Sequence, residues 1–200
     1  MKKKTRLSRK ELEPKAKLRI LNAAAHVVGD LGYDKASMKR IAEVAGIAEG
    51  SIYLYFKSRS QLMDELLPYV GTQMRNYIAK EIAGLSDLFE IEDRGFRAFF
   101  KFVKQHKGFF RILNEAESSS PGAHKQHFNL LGDAYVNSLR RGIETGAVKN
   151  FAEDEIEAVA YILMAARSYL YLRYLKYGKE GDPPMDKVAD IYSKFLRSGL

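Results

Sequence analysis

SMKRIAEVAGIAEGSIYLYFKSRSQL, residues 37–62, decides the fold of this chain. Ser37 is a helix-capping residue, and Ile41, Val44 and Ala45 behind it recur at the spacing of one inward helical face. Gly46 supplies a turn, after which Ile47, Ile52 and Phe56 bring a further helix onto the same small core. Ser58 and Gln61 are spaced as a capping box and open the next helix. Two short helices meet at a glycine; the second presents small and phenolic side chains and is followed by Lys57 and Arg59. That order suits a helix-turn-helix whose second helix lies in the major groove of DNA.

Upstream, Glu13-Pro14 opens a first helix, with proline at a position where its missing N–H costs nothing. Ile20, Ala24, Val27, Val28 and Leu31 form its apolar stripe, and Gly32 suits a left-handed ending. Residues 1–60 hold 14 lysines and arginines against 6 acidic residues, a net +8 that equals the charge of all 200 residues. A basic module joined to a neutral body is the electrostatic footprint of a polyanion binder. The arm Lys2, Lys3, Lys4, Arg6, Arg9 and Lys10 is open to two readings, a contact to phosphates or the minor groove and a solvated tail.

Downstream the pattern is helical throughout, with no strand-like alternation. The fourth helix runs through Leu62, Leu66, Val70, Met74 and Ile78, and Pro68 within it predicts a kink. Further helices are expected at about 93–106, 108–117, 124–146, 155–177 and 185–197, separated by glycine- and serine-rich breaks such as Ser118 to Gly122. The expectation is an all-α chain of about nine helices in two domains, on the periodicity alone. Residues 1–58 are expected to form a three-helix helix-turn-helix domain with its basic arm, and residues 59–200 a larger helical domain.

Several chemistries are excluded. Without cysteine there is neither a disulfide nor a thiolate metal site. His124 and His127 stand three apart but lack further ligands, so they read as surface histidines and no metal is expected. No Glu-x-x-His, phosphate-cradling glycine loop or nucleophile motif occurs, so no catalytic residues, no cofactor and no enzyme are expected. The basic start leads into no signal-like apolar stretch, and no uncharged run approaches about 18 residues, so a cytoplasmic protein without membrane partners is expected.

The 37–62 segment resembles the TetR family of bacterial transcriptional regulators, over about residues 15–66. The resemblance rests on Ser37, Ile41-Ala42, Ala45-Gly46-Ile47, Gly50-Ser51-Ile52-Tyr53-Leu54-Tyr55-Phe56 and Lys57-Ser58-Arg59. It implies that Lys39 reads a base, that Ala48, Glu49, Gly50 and Ser51 face the bases, and that Tyr53, Tyr55 and Lys57 contact phosphates. Ser37 and Arg59 complete the expected DNA-binding set. Glu49 departs from the family's usual neutral or basic residue; it either accepts from a cytosine amino group or is a solvated charge.

The resemblance also implies a small-molecule effector in the larger domain and a homodimer through the helices at about 155–177 and 185–197. The expected effector is apolar, lined by Phe99, Phe110, Leu113, Asn114, Phe128, Leu131, Tyr135, Met164, Arg167 and Ser168, with Arg167 meeting an acidic head. Ile156, Val159, Ala160, Leu163, Ala166, Leu170, Val188, Ile191, Tyr192 and Phe195 are the expected dimer residues, unless they complete the subunit core. The function expected is a ligand-responsive repressor that binds a double-stranded DNA operator and leaves it on binding effector. The alternative is a constitutive, architectural DNA-binding protein with a purely structural helical bundle.

Overall fold

The structure is a computed structural model that describes residues 14–200; the basic arm lies outside the described residues. Among those residues it is all-helical, with no strand. The helices are α1 (Pro14–Leu31), α2 (Met38–Ala45), α3 (Glu49–Ile52), α4 (Arg59–Glu81), α5 (Leu88–Gln105), α6 (Phe109–Ser119), α7 (Pro121–Glu144), α8 (Ile156–Tyr171) and α9 (Met185–Gly199).

Two compact units divide the chain. The first comprises residues up to Gly71 together with Lys107–Lys125; the second comprises Thr72–His106 and Gln126–Leu200. Helices α4 and α7 therefore contribute to both, and α6 belongs with the helix-turn-helix.

In the first unit Ile20, Ala24, Val28, Ile41, Ile52, Phe56, Leu62 and Leu66 are wholly buried, as their spacing requires. Gly32 ends α1 at φ +86° and Gly46 ends α2 at φ +65°, conformations that side chains other than glycine's adopt at a cost. Val44 departs from its expected inward position and is 54% exposed. The buried stripe of α2 is Met38, Ile41, Ala42 and Ala45, which leaves Val44 at the rim of a groove beside His26, Val27 and Arg40. Pro68 stands inside α4, which runs as one helix from Arg59 to Glu81.

In the second unit Phe96, Phe102, Leu139, Ile156, Ala160, Leu163, Tyr192 and Leu196 are buried. Helix α5 begins earlier than its periodicity suggests, because Asp87 caps it by accepting from the Glu90 N–H at 2.8 Å. The serine-rich break shrinks to Ser120, since Pro121 starts α7 at a position that tolerates proline. The C-terminal end of α8 widens into a π-helical turn over Leu172–Lys176. There Arg173 forks onto the Asp182 carboxylate at 2.6 and 2.7 Å. Those bonds and the Lys179 N–H hold the Asp182 carboxyl down at about 2. Among the described residues no helix is long and apolar enough to cross a membrane.

Candidate nucleic-acid interface and effector-binding unit

Local hydrogen bonds build the motif. The Ser37 hydroxyl accepts from the Arg40 N–H at 3.2 Å and closes the start of α2. The Gly46 N–H returns to Glu43 and the Ile47 N–H to Ala42, so the α2–α3 turn satisfies the carbonyls that end α2. Helix α3 is a single turn: Leu54 and Tyr55 donate three residues back, to Ser51 and Ile52, and tighten the chain through Phe56. The capping box forms with one shift. The Gln61 N–H donates to Ser58 at 3.1 Å, while the Gln61 side-chain oxygen reaches back to the Lys57 N–H at 2.9 Å.

On the outer face stand Lys39, Ala48, Glu49, Gly50, Tyr53 and Lys57, all exposed, with Ser51 and Tyr55 half-buried. Gly50 is informative. Its φ is not positive, and a Cβ built there meets nothing within 4 Å. Among the described residues nothing calls for glycine at that position, although glycine weakens a helix by about 0.5–1 kcal/mol relative to alanine. A small residue is useful there only to something that approaches from outside.

Two of the expected DNA-binding residues are engaged within the unit. Ser37 uses its hydroxyl as the α2 cap. Arg59 donates from Nε to the Ala36 carbonyl at 3.0 Å and from Nη2 to the Tyr33 carbonyl.

The expected effector residues fall in different places. Phe110, Leu113 and Asn114 lie on α6 in the first unit; Phe99, Phe128, Leu131, Tyr135, Met164, Arg167 and Ser168 lie in the second. Of the latter, three converge: the buried Arg167 guanidinium lies 5.9 Å from the Phe99 ring centre and 5.1 Å from that of Tyr135. Phe96 and Tyr192 stand at 5.5 and 5.8 Å. Arg167 also donates to Glu92 at 2.9 Å, and the Tyr192 hydroxyl reaches the same carboxylate at 3.3 Å. Its cation is thus already neutralised by Glu92, a partner 75 residues away that periodicity does not reveal. Among the described residues the buried Arg167 Nε has no hydrogen-bond partner. Burial works against the charge, and Tyr135 and Glu92 around it more than offset that. Burial also pushes the Tyr192 phenol up to about 12. Phe128 is 45% exposed and stacks on Tyr161 with ring centres 5.2 Å apart.

One further expectation needs correction. His127 is not a surface histidine: it lies four residues after Ala123 on the buried stripe of α7 and is 5% exposed. Of the expected dimer residues, Ile156, Val159, Ala160, Leu163, Val188 and Tyr192 are buried within the subunit. The apolar side chains left outward on α8 and α9 are Ile162, Tyr169, Ile191 and Phe195, between 57 and 73% exposed. Among the described residues no group of three His, Asp or Glu stands ready to hold a metal ion.

Residues 20–66 match the family model of bacterial regulatory proteins of the tetR family. That stretch, which runs from α1 into α4, is similar to the tetR family of bacterial regulatory proteins. The chain is 26% identical over 189 residues to the helix-turn-helix-type transcriptional regulator YhgD of Bacillus subtilis, covering 90% of this chain and 94% of that one. Its fold is also that of the regulator FadR from Bacillus subtilis in complex with stearoyl-CoA, with a TM-score of 0.77 at 18% identity over 92% of this chain and 98% of that one. AibR, in complex with isovaleryl coenzyme A and operator DNA, superposes with a TM-score of 0.71 at 16% identity, covering 92% and 100%.

Proposed function

We propose that this chain is a regulator of the TetR family, a cytoplasmic, homodimeric repressor that an acyl-CoA effector releases from its operator. The α2–α3 face docks in the major groove, with Lys39, Ala48, Glu49, Gly50 and Ser51 towards the bases and Tyr53, Tyr55 and Lys57 on phosphates. The observation that carries this is Gly50, which sits outward on α3 with no internal reason to be glycine. One short recognition element reads too few base pairs for useful specificity, so the protein works as a dimer. Ile162, Tyr169, Ile191 and Phe195 supply the face on which a second copy seats, an apolar surface on two helices of the kind that four-helix interfaces use. The effector reading rests on the acyl-CoA complexes of two proteins with the same fold. In this chain the buried Arg167 Nε, without a partner among the described residues, is the donor offered to a polar group of the effector, with the Phe99 and Tyr135 rings beside the guanidinium and Met164 and Ser168 on the same helix.

The experiment is selection of duplexes from a random-sequence pool by the full chain, followed by titration of the selected complex with stearoyl-CoA and with isovaleryl-CoA. The expected result is one enriched, two-fold symmetric sequence released by one of the thioesters. Enrichment without release by either thioester would return the protein to the architectural alternative. No enrichment would refute sequence-specific binding.

A further inference from the structure

The segment between α1 and α2, residues 32–37, is held from two sides by elements outside it. From the α4 side, the Arg59 guanidinium donates to two carbonyls, Ala36 at 3.0 Å and Tyr33. From the α6 side, the Glu115 carboxylate accepts the Tyr33 N–H at 2.8 Å. Both polar groups of the Tyr33 backbone are therefore engaged by side chains, from residues 26 and 82 positions away. Tyr33 and Ala36 are themselves buried, at 1% and 0% exposure. The fit around Glu115 is close: a Cβ on Gly32 would lie 2.7 Å from its Oε2.

Helix α6 is fixed where Glu115 needs it. Its start backs onto α1 so closely that a Cβ on Gly29 would stand 2.8 Å from the Gly108 Cα. Arg111 donates to the Asp30 carbonyl, and Ser120, at the end of α6, donates to Asp64.

The residue after Ala36 is Ser37, the cap of α2. We propose that Arg59 and Glu115 are positioning residues for DNA recognition. Together they fix the 32–37 segment, and through it the start of α2, which carries Lys39 and leads through Gly46 to α3. This assigns Arg59 a task other than phosphate contact, and it gives α6, far from the motif in sequence, a share in operator affinity. The inference rests on the reading that the α2–α3 face binds duplex DNA.

The test uses the full-length protein, the duplex that wild type selects from a random pool, and amide hydrogen exchange of the free protein. Arg59→Lys keeps the charge and loses the two-pronged fork, so the expected result is about tenfold weaker binding with an unchanged salt slope. A phosphate contact predicts the reverse: near-wild-type affinity for Arg59→Lys, and a slope lowered by about 0.9 in Arg59→Gln. Glu115→Ala removes a negative charge, which by charge alone tightens DNA binding; the positioning role predicts weaker binding instead. Glu115→Gln keeps an acceptor oxygen and is expected within about twofold of wild type, which separates the grip from a general loss of fold.

In the free protein, Arg59→Lys and Glu115→Ala are expected to speed exchange at the first turn of α2 while leaving α4 protected. Unchanged exchange there, wild-type affinity in Arg59→Lys, or undiminished binding in Glu115→Ala overturns the proposal. Should wild type select no duplex, the DNA-binding reading fails by itself, and the exchange measurement still decides whether the grip exists.

Discussion

The polar contacts around the motif differ in kind from those that join the helices of the second unit. In the first unit, the contacts around the motif run from side chain to backbone: Ser37 to Arg40, Ser58 to Gln61, Gln61 to Lys57, Arg59 to Tyr33 and Ala36, and Glu115 to Tyr33. In the second, charged side chains meet across helices. Arg97 reaches Asp186 and Asp190; Arg140 meets Glu153; Arg167 meets Glu92. A side chain bonded to a carbonyl or N–H fixes the course of the chain, which suits an element that must present a few atoms to a groove. An ion pair between helices can be exchanged for another partner, which suits a unit whose arrangement an effector is to bias.

The contrast is sharpest at Arg167. Glu92→Ala leaves a buried guanidinium without its carboxylate and is expected to destabilise the protein by about 3–5 kcal/mol. Replacing both partners with apolar residues, Glu92→Leu with Arg167→Met, is expected to recover most of that, as read from urea unfolding. If the single and double variants unfold alike, the pair does not organise the second unit.

At the outward face of α8 and α9, Ile162→Glu with Phe195→Glu is expected to yield monomers by sedimentation and to abolish operator binding while leaving helix content intact. Dimers that persist would place the subunit contact elsewhere.

In the first unit the effects are smaller and local. Ser37→Ala removes the α2 cap and is expected to cost about 1 kcal/mol in thermal or urea unfolding. An unchanged midpoint would mean that the 32–37 segment holds α2 without it.

The smallest effect belongs to Asp182, whose carboxyl is held down at about 2 by Arg173 and the Lys179 N–H. Its folded pKa is below the unfolded value, so its contribution is complete above about pH 4 and fades as pH falls towards 2. Hydrogen exchange at 178–184 should quicken across that window in wild type and be pH-independent, beyond the intrinsic trend, in Asp182→Asn.

What was legible in the sequence follows from the same contrast. The caps at Ser37 and Ser58, the turn at Gly46 and the buried Ile41, Ile52 and Phe56 arise within a few residues of one another, so spacing alone reveals them. The membership of α6 in the first unit was not legible. It depends on Gly29 lying against Gly108 and on Glu115 reaching Tyr33, and local periodicity carries no trace of such pairings. The Arg167–Glu92 pair is hidden for the same reason. Val44 and His127 misled because a helical stripe has edges. Val44 fell just outside the buried arc of α2 and His127 just inside that of α7. The glycine at position 50 was visible throughout, but only the structure shows that the space around it is empty.

That empty space gives the most direct test of the account. Gly50→Leu adds a side chain where a Cβ meets nothing within 4 Å, so fold, helix content and dimer are expected to be unchanged. Affinity for the wild-type-selected duplex is expected to fall by about 100-fold or more, because the added side chain occupies the gap between α3 and the groove. A well-folded Gly50→Leu dimer that binds this duplex as tightly as wild type would contradict the claim that α3 is the surface DNA meets.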